Sequence, residues 1–106
     1  MKRTGITFTL LWLFAVGPAL ADAAEDFNTL LDEHWQWTLQ NNPVMASIMG
    51  DRRYNREWGD SSLGAIERRQ KETREFLRRA YAIDKDGLSP DDQLNHELFR
   101  RQLQDN

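Results

Sequence analysis

The sequence predicts an all-α protein, and three observations carry that expectation. Apolar residues recur at helical spacing in several separate stretches, each stretch is punctuated by Pro, Gly, Asn or Ser, and no run alternates apolar and polar residues as a half-buried strand would. About four helices are expected after a leader, in a small antiparallel arrangement or the front end of a larger helical fold.

The first 21 residues divide into a basic start at Lys2 and Arg3, an apolar stretch from Ile6 to Val16, and a Gly17-Pro18 break before Ala19-Leu20-Ala21. This order is that of a secretory signal peptide. The apolar stretch falls short of the ~20 residues that span a bilayer. Small residues at Ala19 and Ala21 place processing after Ala21, with Ala23 as the alternative, and no cysteine is present for lipid attachment. The expected product, residues 22–106, is periplasmic or secreted and free of the membrane. It carries 12 Lys and Arg against 17 Asp and Glu, a balance of −5. That charge disfavours nucleic acid, and the pairs Arg68-Arg69, Arg78-Arg79 and Arg100-Arg101 each lie among acids, as on a solvated helix face. With no cysteine there are no disulfides, so packing alone must hold the fold.

The first helix is expected from about Asp26 to Gln40, with Phe27, Leu30, Leu31, Trp35 and Leu39 as its apolar stripe. Asn41-Asn42-Pro43 ends it and starts a second helix, Pro43 to Met49, capped by Asn42 and stopped by Gly50. Val44, Met45, Ile48 and Met49 are expected on its buried side. Residues 51–60 read as a loop pinned by Tyr54 and Trp58. Ser61 or Ser62 caps a third helix to about Ala82, with Leu63, Ile66, Phe76, Leu77, Ala80 and Tyr81 on or near one side. The middle of that helix, Glu67 to Glu75, must be exposed or face another polar surface. Asp84-Lys85-Asp86-Gly87 is a turn, and Ser89-Pro90-Asp91-Asp92 opens a fourth helix with a cap, a proline and acids in the first turn. Leu94, Leu98, Phe99 and Leu103 form its stripe, and it reaches the last residues without a stop signal.

Candidate chemistry is sparse. His96-Glu97 begins the pattern His-Glu-x-x-His of zinc peptidases, but position 100 is Arg and the other histidine, His34, lies on a different helix. His96 is therefore expected on the exposed side of the fourth helix. Glu33 and His34 are adjacent and diverge by about 100° on a helix, so they form no acid–base pair, and His34 reads as a partly buried packing residue beside Trp35. Asp91 and Asp92 are accounted for by helix capping. There is no nucleophile elbow and no phosphate-binding loop, so no catalytic, cofactor or metal residue is assigned within this chain. Trp35, Trp37, Tyr54 and Trp58 remain as a possible contact surface, their flat amphipathic rings suiting a sugar or peptide groove.

The ordered set Phe27, Leu30-Leu31, Glu33, Trp35, Trp37, Asn42-Pro43, Ala46, Gly50-Asp51, Tyr54, Ile83-Asp84, Leu88-Ser89-Pro90-Asp91-Asp92, Asn95, Leu98 and Leu103 resembles the N-terminal segment of a bacterial family, the domain of unknown function eight-eight-five. The resemblance covers essentially all of residues 22–106. It implies a large, mostly helical, exported protein similar to zinc metallopeptidases, whose His-Glu and Pro-Gly-His-His elements lie in the later half. Nothing in this sequence matches those elements. Zinc and a peptide substrate are thus implied for full-length relatives, while this chain is expected to be a truncated product or an incomplete sequence, non-catalytic alone and partnered by the missing helices. A stand-alone periplasmic binding or adaptor module built on the four aromatic residues is the alternative.

Overall fold

A computed structural model describes residues 17–106, with side chains from Asp22 onward, so the basic start and the apolar stretch of the expected leader lie outside the described residues. Four α-helices follow one another: α1 (Gly17–Asn41), α2 (Pro43–Ile48), α3 (Leu63–Ala82) and α4 (Pro90–Gln104), with 3-10 turns at Arg52–Tyr54 and Lys85–Gly87. The described residues contain no strand. The all-α expectation holds.

Local chemistry sets the element ends. At the close of α2, the N–H of Asp51 donates to the Ala46 carbonyl at 2.8 Å and that of Gly50 to the Ser47 carbonyl at 3.1 Å. This is the paired closure that needs a residue in the left-handed region, and Gly50 supplies it at φ +91°. The Ser62 hydroxyl accepts from the Ala65 N–H and starts α3, and the Ser89 hydroxyl accepts from Asp92 and starts α4. Asp84 accepts from the N–H of Asp86 and tightens the turn between those helices. Asn42 departs from its expected part. It stands at the N-cap position of α2, but its amide turns back to the Thr38 carbonyl at 2.8 Å, as that of Asn41 does to the Trp37 carbonyl. Both asparagines satisfy the open carbonyls at the end of α1, and α2 begins on Pro43 with no side-chain cap.

α1, α3 and α4 form a three-helix bundle. Contacts from Glu33 to Arg79, Trp37 to Glu72 and Asn41 to Arg68 show α3 descending as α1 ascends. α4 then runs back up, from His96 beside Ala80 to Leu103 near Thr73. The core is Ala23, Phe27, Leu30, Ala80, Leu88, Phe99 and Leu103, edged by Leu31, Phe76, Leu77 and Ile83. Ala23 belongs to it, and α1 is helical from Gly17 rather than from about Asp26. The alanine-rich run before Asp26 has high helix propensity and no breaker to stop it.

Burial differs from expectation on every helix, and on the three long ones for a common reason. In a three-helix bundle each helix covers only the strip between its two neighbours. On α4 that strip is His96, Phe99 and Leu103, so Leu94 and Leu98 point outward at 59% and 55% exposure. On α3, Leu63, Ile66 and Tyr81 are exposed, whereas Phe76, Leu77 and Ala80 face the core. On α1 the strip passes through His34 and Trp37, leaving Trp35 exposed. α2 buries Pro43 and Ala46, not Val44, Ile48 and Met49.

The largest correction is His96. It is 3% exposed, with Nε2 2.7 Å from the Ala80 carbonyl oxygen and its ring edge-on to Phe27 at 5.6 Å. Because a carbonyl only accepts, Nε2 carries a proton, and Nδ1 is buried without a hydrogen-bond partner. His34 is half-buried and packs against three rings, stacked on Trp37 at 5.5 Å and edge-on to Phe76 and Phe99 at 5.1 and 5.0 Å. Its expected neighbour, Trp35, is not among them.

Two outcomes follow from these imidazoles. His96→Leu keeps the volume but removes the donor to Ala80, whose carbonyl retains the Ile83 N–H, and urea denaturation should show a loss of about 0.5–1.5 kcal/mol; an unchanged midpoint would refute a structural role for that bond. Burial pushes the His34 imidazole below its ordinary value of 6.5. A lowered folded value means the folded chain favours the neutral ring, so this contribution to stability is whole above pH 6.5 and is lost as pH falls through the lower folded value. The melting temperature should decline in that window, and His34→Phe should flatten the decline; an equal decline in the variant would contradict the assignment.

Candidate functional site

The antiparallel pairing of α1 and α3 leaves a cleft at the end of the bundle where α1 closes and the 57–60 segment crosses toward α3. Its volume is about 400 Å³. Trp37 and Asn41 of α1 form one wall, Arg68, Arg69 and Glu72 of α3 the opposite wall, and Trp58 stands on the segment between them. The polar middle of α3 is mostly exposed, as expected, and turns Arg68, Arg69 and Glu72 toward the cleft.

Hydrogen bonds fix the walls. The indole Nε1 of Trp37 donates to Glu72 Oε2 at 2.6 Å, and Arg68 donates to the same carboxylate oxygen at 3.1 Å. A second Arg68 nitrogen donates to Asn41 Oδ1 at 3.2 Å. Glu72 thus joins the two helices through one oxygen, and the Trp37 ring is further held edge-on to Phe76 at 5.5 Å. Arg69 donates to the Asp60 carbonyl at 2.7 Å and ties the crossing segment to α3. The Asp60 carboxyl is held below the usual carboxylate range, first by the backbone N–H of Ser62, then by the Ser62 side chain, with Arg69 and Arg68 adding to it. It is ionised at neutral pH.

The four aromatic residues expected to share a surface divide. Trp37 and Trp58 line the cleft; Trp35 and Tyr54 do not. Positions two apart on a helix diverge by roughly 200°, so the pair Trp-x-Trp cannot present both rings on one face. Tyr54 sits under the guanidinium of Arg53 at 5.3 Å, while Arg53 pairs with Asp51 at 2.7 Å and donates to Gln36. Trp58, 86% exposed, does not pin the loop as expected; Arg53 and Arg69 do. Sequence reasoning missed Asn41, Arg68, Arg69 and Glu72 as site residues. The available signal was the i,i+4 spacing of Arg68 and Glu72, which marks a helix-surface pair but not what lies opposite it.

Elsewhere several charged groups have structural partners. Glu33 pairs with Arg79 across the bundle while His34 packs among rings, so the two diverge. Ser89 caps at Asp92, and Arg101 pairs with Glu97. Arg100 lies 4.9 Å from the Tyr81 ring centroid. Among the described residues no group of three or more His, Asp and Glu stands where it could hold a metal ion. The cleft itself offers ring faces, amides, guanidinia and paired carboxylates, a set suited to binding by stacking and hydrogen bonds. Glu72→Ala should cost about 1–3 kcal/mol by removing a charge-assisted partner from both Trp37 and Arg68, and should shift the Trp37 emission; a variant with unaltered stability and spectrum would show that this bridge does not organise the cleft. No family model matches the sequence, and neither a curated protein nor a solved structure matches it.

Proposed function

We propose that this chain is the N-terminal helical portion of a larger exported protein of the metallopeptidase-like family that it resembles, and that it packs against further helices without performing chemistry itself. The observation that carries the reading is apolar surface that the bundle does not use. Ile48 is 81% exposed, with Val44 beside it on α2 and Met49 just after, and Leu94 and Leu98 make a second exposed strip on α4. Burial of apolar area yields roughly 25 cal/mol per Å², so such side chains on a water-facing surface favour association.

Export is supported by the order of Lys2 and Arg3, the apolar stretch Ile6 to Val16, and Ala19 and Ala21. Processing after Ala21 keeps Ala23 in the core, whereas processing after Ala23 would remove it. No described helix is long and apolar enough to cross a membrane. Any zinc and peptide substrate would belong to the later half of full-length relatives. A stand-alone periplasmic binding or adaptor module is the second reading, favoured by the convergence of Trp37 and Trp58 on one cleft.

The test is reconstitution from two pieces: residues 22–106, and the later helical segment of a longer family member. The pieces should co-elute on gel filtration, and Leu94→Lys with Leu98→Lys should abolish the complex while leaving the helical circular dichroism of the short piece intact. Two folded pieces that never associate would defeat the proposal, as would peptide hydrolysis by residues 22–106 alone.

A further inference from the structure

We infer that the cleft between Trp37 and Trp58 binds a short neutral saccharide. The inference does not depend on the chain being part of a larger protein.

The walls select by chemistry. Trp37 is immobilised: its N–H is engaged by Glu72, and its ring is stacked on His34 and held edge-on by Phe76. Trp58 is the opposite case, an indole 86% exposed at the lip of the same cleft. An aromatic residue with so little packing contributes almost nothing to the bundle, yet it offers a flat apolar face beside polar groups. Pyranose rings present that combination in reverse, with C–H faces that lie on an indole and hydroxyls around the rim that both donate and accept.

Charge narrows the ligand further. The cleft carries two guanidinia, Arg68 and Arg69, and three carboxylates, Glu57, Asp60 and Glu72. Arg68 is already neutralised by Glu72, at 3.1 Å. Arg69 is bound to the Asp60 carbonyl, and Asp60 is ionised next to it. A phosphate or acidic peptide would meet cations that are spoken for and acids that repel it, and no concentrated acidic cluster invites a cation. An uncharged ligand with many hydroxyls avoids both conflicts and can use the remaining lone pairs and N–H groups of planar polar side chains. An apolar ligand would leave those groups unsatisfied. The volume, about 400 Å³, falls at the small end of the range of about 300–1,000 Å³ for small-molecule sites, which fits a short saccharide.

Intrinsic tryptophan fluorescence and calorimetry on the processed chain test the idea, using neutral mono- and oligosaccharides of glucose, galactose and N-acetylglucosamine, with inorganic phosphate and acidic and basic peptides as comparisons. At least one neutral saccharide should give saturable binding and a shift in emission. Trp58→Ala should weaken that binding about tenfold, as loss of an aromatic contact implies, whereas Trp58→Tyr should retain most of it. Because Trp58 is exposed, circular dichroism of Trp58→Ala should match the parent; if it does not, the Trp58→Tyr titration and a calorimetric titration of Asn41→Ala carry the test. Leu94→Lys with Leu98→Lys should bind saccharide like the parent, which separates this inference from the packing role. The inference fails if no saccharide saturates, if only phosphate or a charged peptide binds, or if Trp58→Ala and the parent bind alike.

Discussion

The bundle depends on one buried contact that joins its three long helices. His96 of α4 donates to the Ala80 carbonyl near the C-terminal end of α3 while Phe27 of α1 lies edge-on to the same imidazole. Helix ends leave carbonyls with spare acceptor capacity; the Ala80 carbonyl takes the Ile83 N–H at 3.3 Å and has a second lone pair to offer. His96 reaches it from another helix, which fixes the height of α4 against α3. Apolar contacts such as those of Leu30, Phe99 and Leu103 are non-directional and would tolerate a sliding helix; a hydrogen bond at 2.7 Å does not. In a chain of this size, which buries only ~60–65% of its unfolded surface, such a directional contact has unusual weight.

What could be read from the sequence was local. Ser62, Ser89, Pro90 and Gly50 define element ends through bonds to residues within a few positions, and all four stand where expected. Burial was harder because it is decided between helices. α4 holds Leu94, Leu98, Phe99 and Leu103, and the period alone admits a wide apolar stripe, but the neighbours admit only the narrower strip that begins with His96. Helix period marks a histidine as polar, yet its ring has an apolar body and one donor, so it suits a carbonyl inside a core. Asn42 failed for a related reason: its position at the start of α2 is also four residues after Thr38, and the open carbonyl of α1 competed successfully for its amide.

The cleft repeats the lesson at the level of function. Trp35 and Trp37 are neighbours in sequence and diverge in space, whereas Trp37, Trp58 and Glu72 are distant in sequence and meet because α3 runs back along α1. Only the topology places Glu72 under the Trp37 indole. Once there, it converts a surface i,i+4 pair, ordinarily worth little, into a three-way bridge with a part-buried aromatic donor.

The proposed cleft and the exposed α4 strip sit on different parts of the bundle. The Trp37 cleft lies where α1 ends, and the His96 contact lies nearer the start of α1, with His34, Phe76 and Phe99 filling the space between. Leu94 and Leu98 lie on the outer side of α4, Leu98 one turn before Gln102, which with Leu103 meets the part of the bundle near Asn42. A helix docking on Leu94 and Leu98 would press on the His96 end and stabilise the whole fold by mass action. Packing on the α4 strip would thus steady the bundle that holds Trp37 in place, whereas Trp58 shares a hollow with Val44 and Ile48, so a partner on the α2 side would adjoin the cleft.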